Sequence, residues 1–183
     1  MNERFVKRQM DELPRLEVAD FKQAEKMPVI VVLDNVRSLN NIGSVFRSAD
    51  AFLVSEIILC GITAIPPHKD INKTALGATE SVDWRYVADT HDAVVQLREQ
   101  GCQVWALEQA HQSHRLGDWV MNPDKPHAII LGHEVDGVQQ SVIELCDGVL
   151  EIPQWGTKHS LNVSVSAGII LWECARQWSA HKQ

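Results

Sequence analysis

No apolar run in this 183-residue chain is longer than the five residues 29–33. That is far short of the ~20 residues that cross a bilayer. The first 27 residues carry no apolar block of the secretory kind, so the cytosol is the expected compartment and no membrane partner is expected. The four cysteines, Cys60, Cys102, Cys146 and Cys174, form no C-x-x-C pair. A zinc knuckle or a thioredoxin-type site is therefore not expected, and buried free thiols are. There is no G-x-G, hence no Rossmann fingerprint, and no P-loop. No G-x-S-x-G elbow marks a hydrolase. His111 and His114 form a lone H-x-x-H in a polar loop, too little to predict a metal site.

What is present suits one globular unit. Apolar residues make up 45% and charged residues 22%, with 10 Gly and 7 Pro, so wholesale disorder is excluded. A chain of this length buries roughly 70% of its unfolded surface and needs no staples. The net charge is −7, and its placement matters more than its sum. Residues 86–150 hold ten acidic and three basic residues, which is the whole excess; the rest carries 14 of each sign. An acidic flank can coexist with a face that accepts a polyanion.

Periodicity divides the chain. Residues 1–26 read as two short helices interrupted at Pro14. VIVVLD is a buried strand, and Asn41 is the expected cap of a helix over IGSVFRSADAFLV. IILCG is a second strand, and residues 61–81 are loop-like with a short helix near INKTALGA. WRYVA, QVWALE, HAIILG and GVLEIP are further strands. HDAVVQLREQ is a helix stopped by Gly101, VQQSVIELC is another, and a long last helix starts from a Ser cap in SLNVSVSAGIILWECARQW. Alternating strands and helices predict an α/β fold, with a mostly parallel sheet and helices on both faces.

Three polar segments follow strands, where ligands of open α/β sheets bind. LDNVRSLNNIGSVFR places Asn35, Asn41, Gly43 and Arg47. LGHEVDG places Leu131, Gly132, His133, Glu134 and Gly137 in a turn whose glycines admit close backbone approach. EIPQWGTKHSLNVSVS places Ser160 and Asn162 at a helix start, with its free N–H donors. Each segment alone could be an ordinary cap or turn.

Together, in this order and spacing, the segments resemble the three motifs of the SpoU/TrmH family of RNA ribose 2′-O-methyltransferases, within the SPOUT superfamily. The resemblance spans residues 28–178. It departs at His133, usually Asn, and at Gln154, usually Met. It implies a C-terminal deep trefoil knot, residues 28–183 as the methyltransferase domain, and residues 1–27 as a short helical extension in place of a separate RNA-binding domain. It implies S-adenosylmethionine as cofactor, held by Leu107, Leu131, Gly132, His133, Glu134, Gly137, Ile152, Gln154, Ser160 and Leu161. Arg47 is implied to activate the ribose hydroxyl, Asn41 to orient Arg47 or the backbone, and Glu134 to contact Arg47 across the site. Ser160 and Asn162 are implied to fix the loop and the substrate. A homodimer through the last helix is implied, with Trp172 and Trp178 in the interface or, for Trp172, in plain core packing. The RNA would be tRNA in preference to rRNA.

RNA is expected to dock away from the acidic segment. Arg37, Arg47, Lys69, Lys73 and Lys158 flank the candidate loops, and Arg4, Lys7, Arg8 and Arg15 are candidates in the extension unless merely solvated. The rival reading is a non-catalytic RNA-binding protein that keeps the fold; a small-molecule hydrolase is a third.

Overall fold

The computed structural model describes residues 5–182. Seven strands are hydrogen-bonded in one parallel sheet: β1 (Met27–Asp34), β2 (Val54–Cys60), β3 (Trp84–Val87), β4 (Gln103–Leu107), β5 (His114–Arg115), β6 (His127–Leu131) and β7 (Gly148–Glu151). Their order across the sheet is β3-β2-β1-β6-β4-β7-β5, and each pair runs parallel. The central strands are buried on both faces, which is why they read as apolar runs rather than alternations.

The pleat then divides the core in two. Val29, Val31, Leu33, Ile57, Leu59, Ile129 and Leu131 face one cluster, which is covered by α2 (Leu39–Ala51), α3 (Lys69–Ala75) and α7 (Val163–His181). Val32, Ile58, Val104, Ala106, Ala128 and Ile130 face the other, covered by α5 (Thr90–Glu99) and α6 (Gln140–Ile143). Helices thus lie on both faces, as expected. The short α1 (Val18–Gln23) docks Phe21 into the first cluster, and α4 (Ala78–Ser81) follows α3. The interruption expected at Pro14 is there: a 3-10 turn, Met10–Glu12, precedes it and α1 follows.

Several local expectations shift. Helix α2 is capped by Ser38, whose side chain accepts from the Asn41 N–H, so Asn41 lies in the first turn with its amide free for other work. Helix α7 is capped by Asn162 and not by a serine. Helix α6 is one turn, shorter than its sequence pattern implies. The two-residue edge strand β5 was not anticipated, being too short to show periodicity. The four thiols are free, and burial pushes those of Cys60, Cys146 and Cys174 well up, to about 11, 12 and 12. No metal-binding cluster exists among the described residues, His111 and His114 included.

Candidate active site

Strands β1, β4, β6 and β7 end on the same side of the sheet, and their following loops meet there. A clasp fixes the floor. Asp34, fully buried at the end of β1, accepts from Thr90 Oγ1 at 2.6 Å, from Asn35 Nδ2 at 2.8 Å and from the Gln139 N–H at 3.2 Å. Asn35 itself takes a positive φ of 57° and bonds the Ile62 N–H, so it serves the turn.

The turn after β6 is closed by paired His133 and Gly137 backbone bonds at 3.1 and 2.9 Å. A Cβ on Gly132 would collide with the Gly137 backbone, and Gly137 has φ +68°. Both positions therefore need glycine. At this departure from the family pattern, His133 Nδ1 lies 3.2 Å from each of the Val135 and Asp136 N–H groups and 3.1 Å from Asp136 Oδ2.

Glu134 gathers the segments. Its carboxylate accepts from the Arg37 N–H at 3.0 Å, the Ser38 N–H at 2.9 Å and Asn41 Nδ2 at 3.0 Å. Asn41 Oδ1 in turn accepts from Asn162 Nδ2 at 3.2 Å, and Asn162 Oδ1 accepts from Ser164 N and Oγ at 2.9 and 2.7 Å. One end of this relay can only accept and the other, a backbone N–H, can only donate, so both amide orientations are determined. Burial pushes the Glu134 carboxyl up, but these N–H donors outweigh it and leave it below the usual carboxylate range. The expected contact of Glu134 with Arg47 is not made; the carboxylate is spent on the loop before α2. Arg47 is exposed on α2 and has no hydrogen bond or ion pair among the described residues.

Around these loops lies a cavity of about 570 Å³, within the usual size of a small-molecule site. Leu107, Leu131, Gly132, His133 and Glu134 line it, and so do Gly137, Ile152, Gln154, Ser160 and Leu161. The structure thus brings together all ten residues expected around the cofactor. Arg47 is not among the walls. Asn162 is, although Ser160 was the expected cap. A second cavity, of about 340 Å³, is lined by Arg37 and Ser38 and shares His133, Glu134 and Val135 with the first.

Of the wall residues that escaped the sequence reading, two tie the loops together. Glu108 accepts from the Val138 N–H at 3.1 Å and from the Gln109 N–H at 2.8 Å, and Gln109 Nε2 donates to the His159 carbonyl at 2.5 Å. This pair staples the turn after β6 to the loop after β7. The available signal was position: both directly follow a strand, as the three motifs do.

Of the other cations, Lys69 and Lys158 are exposed. Lys73 is paired with Asp70 at 2.6 Å, and that contact holds the Asp70 carboxyl low. Lys7, Arg8 and Arg15 are exposed, and Arg4 lies outside the described residues. On α7, Trp172 is 59% exposed and meets Phe52 with ring centres 6.1 Å apart. Trp178 is half-buried against its own core, with Lys182 over its ring.

The SpoU rRNA Methylase family matches residues 28–172. The chain belongs to this family. It is 33% identical over 172 residues to a tRNA (guanosine(18)-2′-O)-methyltransferase of Thermus thermophilus, covering 93% of this chain and 86% of that protein. It is 34% identical over 167 residues to the 23S rRNA (guanosine-2′-O-)-methyltransferase RlmB of Vibrio parahaemolyticus, covering 91% and 66%. The chain spans about two-thirds of the length of that rRNA relative. Its fold is similar to the TrmH/SpoU tRNA modifying enzyme of A. aeolicus, with TM-score 0.79 and 25% identity over 90% of this chain and 84% of that one. The AdoMet-bound rRNA methyltransferase of Sinorhizobium meliloti is also similar, with TM-score 0.75 and 28% identity over 83% and 60%. Family membership, and the meeting of the second and third motifs on one cavity, were thus legible from the motifs; the first motif lines no part of that cavity.

Proposed function

We propose that this SpoU-family chain transfers a methyl group from S-adenosylmethionine to a ribose 2′-OH of RNA. The observation that carries the reading is the cavity itself, since the loops after β4, β6 and β7 all open onto it. Its walls fit the cofactor chemically. Leu107, Leu131 and Ile152 give apolar surface for a purine, while the turn of residues 132–137 and the start of α7 give polar groups for a ribose and an amino acid. When bound, the cofactor supplies a methyl group on a sulfonium, a good leaving group.

The chain's own residues then have separable tasks. Glu134, Asn41 and Asn162 hold the loops in register, so that the hydroxyl is met in one orientation. Arg47 engages the ribose and its adjacent phosphate. A guanidinium with pKa above ~12 is a poor base, so its part is to hold the phosphate that takes the proton. Arg37, Lys69 and Lys158 offer further phosphate contacts, and Lys73 contributes less because Asp70 already takes its charge.

The fold reading extends to the deep trefoil knot. In its support, β4 lies between β6 and β7, and the chain after β7 crosses back to lay α7 on α2 and β1. Residues 28–183 form the methyltransferase domain, and residues 1–27 the extension that docks through Phe21. A homodimer would bury Val165, Ile169 and Trp172, an exposed apolar stripe on α7. The preferred RNA is tRNA, since the tRNA relative matches over 86% of its own length. Such an enzyme works in the cytoplasm.

The test is tritium transfer from labelled cofactor to tRNA and rRNA transcripts, beside calorimetry of the cofactor alone. Roughly micromolar binding, about 8 kcal/mol, is expected, with counts in ribose-methylated nucleotides of tRNA. Cofactor binding without transfer would leave a non-catalytic RNA-binding protein; no binding at millimolar cofactor would end the reading.

A further inference from the structure

We infer that Trp155 is a stacking platform for an unpaired RNA base, on the loop whose other residues wall the cavity. The inference rests on the RNA-methylation reading above. Trp155 is 91% exposed and has no ring, cation or hydrogen-bond partner among the described residues. A single exposed ring is ordinary by itself; the loop that holds this one and the charge around it are what give it an occupant.

The loop that carries it is not a drifting tail. Ile152 and Gln154 before it, and Ser160 and Leu161 after it, all line the cavity. Its far end is tied by Gln109 to the His159 carbonyl and by Asn162 to the start of α7. Trp155 lies outside the cavity, so one loop offers residues to the cavity and an indole to solvent.

Charge selects the occupant. Residues 152–172 contain no Asp or Glu, in a chain whose net charge is −7, and Lys158 and His159 stand three and four residues beyond the indole. Both are exposed, and neither has an ion-pair partner among the described residues. Subunit interfaces bury apolar clusters depleted of charge; the stripe on α7 is of that kind. A lone aromatic beside a lysine and hydroxyls is how single-stranded nucleic acid is held, with a base on the ring and a phosphate on the cation. The substrate segment over this loop is therefore unpaired, and the target ribose lies in a loop or an end rather than within a duplex.

The experiment compares wild type, Trp155→Ala, Trp155→Phe and Lys158→Ala. Loss of one stacked base should raise the KM for RNA roughly tenfold to a hundredfold in Trp155→Ala, with kcat and cofactor affinity within about twofold. Trp155→Phe should recover most of the loss. Lys158→Ala should lower the salt slope of binding by roughly 0.7, and Trp155→Ala should leave it unchanged. A short single-stranded oligoribonucleotide should quench wild-type tryptophan fluorescence, and much less so in Trp155→Phe. That quenching needs no catalysis, so it decides the role of Trp155 even if no RNA is methylated. An unchanged KM with unchanged quenching overturns the proposal. A fall in mass by light scattering in Trp155→Ala would give the ring to a second copy, and also overturns it.

Discussion

Among the polar residues of helix α2, two that stand six apart are in opposite circumstances. Asn41 is bound on both sides, donating to Glu134 and accepting from Asn162. Arg47 is exposed, with no partner among the described residues. A polar residue already satisfied within the chain serves shape; a cation held in readiness serves something that arrives from outside. The same division separates Glu134 and Asn162 from Lys158 and Trp155. On the proposed function, the relay builds the site and the unattached groups are left to meet the RNA.

The sharpest way to break this contrast is Arg47→Ala. It removes no internal contact, so stability should stay within about 0.5 kcal/mol. Methyl transfer should fall on the order of 10²- to 10³-fold, the cost of losing one preorganised donor. Cofactor affinity should stay within a few-fold, because Arg47 is not a cavity wall. Arg47→Lys should not restore transfer, since an ammonium lacks the planar fork. Half of wild-type turnover in either variant would remove Arg47 from the chemistry.

Glu134→Gln probes the other side. An amide keeps the volume but offers one acceptor atom where the carboxylate uses two. A hydrogen bond to a charged group contributes about 1.5–3 kcal/mol, and part of the network survives, so a net loss of about 2 kcal/mol is expected. For a chain of this size that lowers Tm by roughly 4–8 °C. The pH dependence supplies a control. The folded carboxyl titrates below the ordinary ~4.3 of glutamate. Its contribution is therefore complete above that value and is lost as pH falls through the folded pKa. The Tm gap between wild type and variant should be full at pH 7 and should narrow as pH falls below the ordinary glutamate range. A gap that does not narrow at all as the pH is lowered would mean that shape, not charge, is what the variant lost.

Much of this is legible in the sequence itself. The five-residue run at 29–33 announced a doubly buried strand, and the glycines at 132 and 137 announced a tight turn. What could not be read was which polar group meets which. Ser160 and Asn162 are both good caps two residues apart, and only the path from β7 decides that Asn162 takes the role. The partner of Glu134 is 93 residues away in sequence at Asn41, a choice no local pattern encodes. The resemblance led to an Arg47 contact, and the geometry gave that carboxylate to backbone amides instead. Glu108 looked like the last residue of a strand, because its work begins where the strand ends.

Asn162 offers the smallest and most discriminating test, since it caps α7 and also passes a hydrogen bond to Asn41. Asn162→Ala removes both and should cost about 1 kcal/mol, or roughly 2–4 °C in Tm. Asn162→Asp divides the two functions. A carboxylate still accepts from the Ser164 N–H, and its charge suits a helix N-terminus. It cannot donate to Asn41 Oδ1. The Asp variant should therefore recover the melting temperature of wild type while transfer remains several-fold low, because Asn41 has lost the group that fixes its amide. If Asp restored both, the cap alone would account for Asn162, and the link between the first and third motifs would carry no function. If it restored neither, the new negative charge beside Glu134 would outweigh the cap, and Asn162→Ser would be the variant that isolates it.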